Sequence, residues 1–466
     1  MNIIDKLKDK KEYTPDLQIK EVSFSLNKLY IVNLQTVSDS SLSNKYILDY
    51  FSERSLFINS KVSSIKKDIS NFIPSISFIE IKEKDVMTYL FNGFTILIYR
   101  DEIIAIETRA ALDRSISEPT SEPTVKGPKD SFNENYNMNI GLIRRRIKSE
   151  DLYIKELTLG TKTLTKVSLI YMNTIVDKEL LNDVINKISS IKTDKILDTY
   201  YIKELIKNEN KTIIPTIKAT EKPDTIAKSL TEGKICILSE NSNNVLIIPT
   251  FFIDYFYNNE DNYQKKVFVA FVKFVRMVAL LITIFAPAIY LSLITYDQQM
   301  LPTNLLINFS LQRSSVPFPA LIEAFLLMFT FELLYEADAL TPTTRGTSLS
   351  ILGALVLGDA AVNAGIVSPI MVIVVAITAI SSIFFSYQDF QSSIRLYRYL
   401  LMILSCFFGM IGIVFGFLFI LTKLCSIRTF NRPYIISFNT YKSRKKLIKN
   451  GILPQNTNKG EIWKKY

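Results

Sequence analysis

MVALLITIFAPAIYLSLITY, residues 277–296, holds no charged side chain. About 20 mainly apolar residues are what a helix needs to cross a bilayer. Further uncharged runs follow at 346–358, 360–388 and 399–421, whereas no stretch before Lys265 is both long and apolar enough to span. The chain therefore changes solvent near Lys265. A large water-soluble part precedes that point and a membrane part follows it, so the function has to lie in something one part tells the other. The expected division is a polar tail over 1–24, then α/β subdomains over 25–148 and 149–264. A transmembrane helical domain over 265–425, with about four spans plus a re-entrant element, leads to a basic tail over 426–466.

The chain has 466 residues and a formal net charge of +10. Much of the excess stands beside the last apolar run, at Lys423, Arg428, Arg432 and in 442–449. Basic residues flanking a last span mark the cytoplasmic side, and membrane-surface anchoring explains them better than RNA binding. There is no histidine, which removes imidazole acid–base chemistry and most zinc sites. The three cysteines, Cys236, Cys406 and Cys425, are too dispersed for a metal knuckle or a disulfide framework, and read as reduced thiols. Residues 1–12 are charged and not apolar, so no secretory leader is expected and the soluble half reads as cytoplasmic. No cofactor is implied.

In the soluble half, residues 29–34 read as a strand and 39–51 as a helix with apolar residues at helical spacing. Residues 94–99 and 102–107 read as strands, so the first subdomain is α/β. The pattern reopens with a strand at 167–172, a helix at 178–191 and strands at 235–238 and 245–249. The connecting segment 114–129 reads RSISEPTSEPTVKGPK. Its prolines push the residues before them, Glu118, Glu122 and Gly127, to extended backbone, giving an irregular strap that ends at Lys129. A helix over 131–147 follows with Arg144, Arg145 and Arg146. Two readings stand for that triplet: a solvated helix face, or a ridge that contacts a partner subunit together with Glu118, Glu122 and Lys129 of the strap.

In the membrane half, Lys273 and Arg276 near the start of the first span read as snorkelling to the interface. Residues 295–315 read as a polar extracytoplasmic loop. The next segment, 316–337, reads VPFPALIEAFLLMFTFELLYEA. Glu332 and Glu336 share one face, and Glu323 falls on the other. Carboxylates in such a segment must face protein or water, so this helix either lies in the interface or crosses and lines a wet path. Gly353 and Gly358 punctuate a short element, Asp359 follows, and a full span is expected at 366–386. Non-helical backbone survives at membrane depth only in protein or beside a cavity, which makes Gly358-Asp359 a candidate ion path; the other reading has Asp359 capping the helix that follows. The last span carries Gly409, Gly412 and Gly416, a small-residue face for close helix packing.

Several of these residues fall in recognisable blocks. They are Arg114-x-x-x-Glu118-Pro119, Gly127-Pro128-Lys129-Asp130-x-Phe132, and Asn139-x-x-Leu142-Ile143-Arg144-Arg145-Arg146. Others are Thr220-Glu221-Lys222-Pro223-Asp224, Pro317-Phe318-Pro319 with Glu323, and Gly365-Ile366-Val367-Ser368-Pro369. Together they resemble the A subunits of GerA-type spore germinant receptors of endospore-forming bacteria, over nearly everything after residue 25. The chain departs from that pattern at Lys222 and Tyr335, where the family usually has arginine, at Asp359, where it has glutamine, and at Asn431-Arg432. The resemblance implies a non-enzymatic, multi-pass subunit of the spore inner membrane. It also implies a homo-oligomer forming a ligand-gated ion channel, working with a transporter-like B subunit that senses the nutrient and a lipoprotein C subunit.

Two rivals remain. A stand-alone transporter of ions or small solutes predicts repeats and paired broken helices, and the sequence shows one interrupted region and no repeat. A tethered enzyme predicts a nucleophile, base or phosphate loop, and neither a P-loop nor a dinucleotide glycine pattern is present.

Overall fold

The computed structural model describes residues 3–24, 27–39, 78–99, 102–109, 122, 126–206, 212–340, 358–385 and 387–435. The helix expected over 39–51 lies almost entirely outside them, as do Glu118 and Gly353. The chain divides into an α/β unit, Met1–Glu209 with Thr216–Thr250, and a helical unit, Asn210–Pro215 with Phe251–Tyr466.

Among its described residues the α/β unit holds two five-stranded sheets. The first is built from β1 (Leu17–Phe24), β2 (Asn27–Leu34), β3 (Phe78–Glu80), β4 (Phe94–Tyr99) and β5 (Glu102–Glu107), in the order β1-β2-β4-β5-β3. The second uses β6 (Leu152–Leu159), β7 (Thr165–Met172), β8 (Lys218–Thr220), β9 (Ile235–Ser239) and β10 (Val245–Ile248), in the order β6-β7-β9-β10-β8. All pairings are antiparallel and the two orders are the same, so one arrangement occurs twice. In each copy a short helix leads into the central hairpin: α2 (Val86–Phe91) before β4, and α6 (Pro223–Thr231) before β9. Each helix stops the same way. Leu90-Phe91-Asn92-Gly93 and Leu230-Thr231-Glu232-Gly233 end on a glycine with φ of +84° and +92°. Its N–H returns to the leucine carbonyl at 3.0 and 2.9 Å respectively. The two turns share Leu-x-x-Gly, a sequence match too short to announce a repeat.

The expected polar tail is folded. Ile4 and Leu7 of α1 (Ile3–Lys11) are buried, and β1 pairs with β2 from Leu17↔Leu34 to Phe24↔Asn27. The lysines of α1 hide this in the sequence, because only Ile3, Ile4 and Leu7 do the packing. The subdomain boundary also moves. The basic helix α3 (Tyr136–Arg146) packs Tyr136, Ile140 and Ile143 into the second core, with Leu152, Ile170, Ile226 and Leu238. It therefore belongs with the second sheet. That sheet is flanked by α4 (Lys178–Ser189), whose Leu180, Leu181, Val184 and Ile188 are buried at helical spacing, and by α5 (Thr199–Ile206).

The helical unit contains α7 (Lys266–Thr295), α8 (Thr303–Arg313), α9 (Ala320–Leu340), α10 (Pro369–Ser382) and α11 (Gln388–Ser426). Among the described residues, α7 and α11 are long and apolar enough to cross a membrane. The polar loop expected over 295–315 is largely the helix α8. The full span expected at 366–386 is shorter: α10 has 14 residues, or about 21 Å at 1.5 Å each. Pro369 at its first turn and Ser381-Ser382 at its end bound it.

The second long helix is not straight. Gly409 has φ 59° and ψ −142°, which breaks α11 into arms 388–408 and 410–426. A Cβ on Gly412 would run into the Leu404 carbonyl, and one on Gly416 into Leu401. Residues 401 and 416 on a straight helix would stand about 22 Å apart. The two arms therefore fold back as a hairpin, and Gly412 and Gly416 form its seam, a close helix packing within one chain.

Candidate functional site

Three clusters of polar groups lie among the apolar helices of the helical unit. The first is Asp297, just after α7. Its carboxylate accepts from Met410 N–H at 2.8 Å, the first residue of the second arm of α11, and from the Ser292 hydroxyl. A carboxylate on a newly started helix both satisfies an orphan donor and complements the positive helix end. This contact holds the hairpin turn. The sequence carried a signal for it, an acid at the end of an apolar run, which the reading of 295–315 as a plain loop passed over.

The second place holds Glu323, which is 1% exposed. It accepts from Ser368 N–H at 2.6 Å and from the Ser368 hydroxyl, and lies 3.7 Å from Arg313 Nε. Ser368 is the N-cap of α10. The capping reading of Asp359 does not extend to α10, whose N-cap position is Ser368, with its hydroxyl turned to Glu323 of α9.

The third place joins α9 to the first arm of α11. Glu332 accepts from Arg395 Nη1 at 2.8 Å and from Arg398 Nη2 at 2.5 Å. The Tyr335 hydroxyl donates to Gln391 at 2.6 Å, and Arg395 stands 4.4 Å from the Tyr335 ring centre. Both cations on Glu332 come from α11. Glu336 is exposed one turn on. Asp359 is exposed within a helical stretch over 358–363, and Gly358 beside it is half-buried. Of the acids expected to share one polar path, Glu323 and Glu332 are thus each engaged within the chain, in different places. Glu336 and Asp359 present surface.

Arg276 does not snorkel. It forks onto Asp261 at 2.7 and 3.1 Å and donates to the Phe256 carbonyl at 3.0 Å. Lys273 lies over the Tyr257 ring at 4.5 Å. The segment around them is an aromatic cluster of Phe252, Tyr255, Phe256, Phe385 and Phe390, with Tyr255 stacked on Phe390 at 4.6 Å. Ile214 is buried in the same core. The Pro215 carbonyl accepts from both Tyr255, at 3.2 Å, and Tyr434, at 2.9 Å, while Ser393 donates to the Ile213 carbonyl at 2.7 Å. A piece of chain between α5 and β8 is therefore clamped by the helical unit.

In the α/β unit the arginine triplet splits. Arg144 is wholly buried and forks onto Asp16 at 2.7 and 2.8 Å, with its guanidinium 5.3 Å from the centre of the Phe91 ring. It is neither solvated nor offered to a partner; it ties the second sheet's helix to the first sheet. Arg146 pairs with Asp130 at 2.5 Å. Only Arg145 faces out. Of the strap, Lys129 is exposed, while Glu122 is buried and accepts from Thr220 Oγ1 at 2.9 Å on the edge strand β8. Burial pushes the Glu122 carboxyl up, against the pull of Lys218 and the Thr220 hydroxyl.

A carboxyl raised on folding stabilises the fold below its unfolded pKa, about 4.3, and loses that contribution as pH climbs through the raised value. Glu122→Gln, neutral throughout, is expected to melt above the wild type at pH 7, with the gap closing toward pH 4. Melts of both proteins across that range check it, and a constant gap contradicts it.

Among the described residues no group of His, Cys, Asp and Glu is placed to hold a metal. The chain is thus a two-part protein, an α/β unit and a helical unit whose apolar helices enclose ion pairs. The chain belongs to the Bacillus/Clostridium GerA spore germination protein family, whose model matches residues 5–459. It is 38% identical over 344 residues to spore germination protein KA of Bacillus subtilis, covering 74% of this chain and 63% of that one, under two thirds of its length. Spore germination protein B1 of B. subtilis is 31% identical over 441 residues, 93% of this chain and 90% of that one. GerLA of Bacillus cereus is 30% identical over 441 residues, 93% and 88% respectively. The crystal structure of the N-terminal domain of the A subunit of the Bacillus megaterium spore germinant receptor GerK3 is similar at 22% identity and a TM-score of 0.41, over 53% of this chain and 94% of that one.

Proposed function

We propose that this chain is the A subunit of a nutrient germinant receptor and that copies of it assemble into a ligand-gated ion channel. It sits in the spore inner membrane with its α/β unit on the cytoplasmic side. A transporter-like B subunit senses the nutrient, and a lipoprotein C subunit completes the receptor. Family membership is the observation that carries this reading.

The helical unit supports it in three ways. Its outer surface is apolar, with Val267 85% exposed on α7 and Ile411 66% exposed on α11, as lipid or neighbouring subunits require. The reading counts four passes, α7, α9 and the two arms of the α11 hairpin, an even number that puts the basic tail on the side of the α/β unit. Asp359 and Glu336 are exposed acids with no ion pair among the described residues. The duplicated sheets lie in the α/β unit, so they lend nothing to a stand-alone transporter, whose repeats belong in the membrane part.

Ion flux through the reconstituted receptor tests the reading. Asp359→Asn and Glu336→Gln are expected to change conductance or ion selectivity. Glu332 is a poor probe, because its loss strands two arginines.

A further inference from the structure

The Glu332 cluster is unbalanced. Two guanidinium groups meet one carboxylate, and Arg398 is fully buried. Among the described residues its Nε and Nη1 meet no hydrogen-bond partner, and neither does Arg395 Nε. Tyr335 and Tyr399 offer ring faces, 4.4 Å from Arg395 and 5.3 Å from Arg398. A guanidinium does not shed its proton, and a buried charge left short of counter-charge and hydrogen bonds is destabilising. A further oxyanion is what the cluster lacks.

The surroundings say which. Arg395 keeps 18% of its side chain open, which gives an approach. The helices that carry the cluster expose Phe329 at 62%, Leu333 at 56% and Leu396 at 56%. A ligand arriving here lies along apolar surface and must end in a negative head. We propose that Arg395 and Arg398 bind the phosphate of an anionic phospholipid headgroup, with the lipid chains along α9 and the first arm of α11. The planar fork of arginine matches a phosphate in two-point contact, and basic pockets between membrane helices hold such headgroups. The proposal rests on the reading that these helices lie in a bilayer.

The full chain is inserted into phosphatidylcholine vesicles containing phosphatidylglycerol, checked for resistance to carbonate extraction, then purified in mild detergent and examined by native mass spectrometry. One phosphatidylglycerol per chain is expected to stay bound to the wild type and to the Arg313→Gln control. Retention is expected to fall about tenfold in Arg395→Gln, the loss of one charge-assisted two-point contact, and in Arg398→Lys, which keeps the charge but not the fork. Equal retention of phosphatidylcholine, or undiminished phosphatidylglycerol on Arg395→Gln, overturns the proposal. So does displacement by inorganic phosphate, which marks a free-anion site, or lipid-free pairs of chains lost on Arg395→Gln, which mark an acid from a second copy. Carbonate extraction of the wild type would instead overturn the bilayer reading.

Discussion

Asp16→Ala is expected to destabilise the α/β unit by about 3–5 kcal/mol, the cost of leaving a buried charge without its partner. The Arg144 guanidinium is sealed from water and held by Asp16 through two bonds of 2.7 and 2.8 Å. Asp16 is itself fixed by the Thr36 hydroxyl at 2.6 Å. With the carboxylate gone, Arg144 must stay unpaired or drag α3 away from both sheets. For a domain of this size that corresponds to roughly 6–20 °C in Tm, taking about 2–4 °C per kcal/mol. The double variant Asp16→Leu, Arg144→Met replaces the pair by apolar groups of similar volume and is expected to recover most of the loss. Melting of the full chain decides it. An Asp16→Ala protein within about 1 kcal/mol of wild type contradicts a sealed pair.

Gly409→Val is expected to open the hairpin of α11. The backbone at Gly409 sits at φ 59°, a region that costs a β-branched residue about 1–3 kcal/mol. Its Cβ would also meet Asp297 Oδ2 at 2.8 Å and Tyr296 Cβ at 3.0 Å. Asp297 is the acid that accepts from Met410 N–H, so the clash falls on the contact that holds the turn. Without it the long apolar helix is free to straighten. Spin labels at positions 400 and 417 are expected to lie close together in the wild type and up to about 25 Å apart in the variant, the length of that stretch as one helix. Equal distances in the two proteins would show that the turn does not depend on Gly409.

Much of this architecture was legible because burial leaves a pattern. The runs FTILIY and VLII at β4 and β10, and the helical spacing of Leu180, Val184 and Ile188, announce their own structure. What escaped is what depends on a partner distant in sequence. Arg144 reads as surface charge until Asp16, far away in the chain, is seen beside it. The lysine-rich start reads as a tail because two buried residues suffice to dock it. The fold-back of α11 is invisible to hydropathy, which scores an unbroken helix and a hairpin alike. Gly409, Gly412 and Gly416 were visible as small residues, but that they serve one chain against itself follows only from the close approach to Leu401 and Leu404. The acids of the membrane part were found by composition alone; their grouping was not, since a helix face predicts neighbours along α9 and says nothing of Ser368 or Arg398 opposite.

We propose that this chain forms part of an ion-conducting pore. Its most direct measurement is nutrient-triggered ion efflux from vesicles carrying the receptor with this chain as wild type, Asp359→Asn or Glu336→Gln. A pore lined by these acids predicts efflux from the wild type, with altered rate or cation preference in both variants at unchanged protein levels. Efflux that is identical in all three, or that persists when this chain is left out, would contradict it.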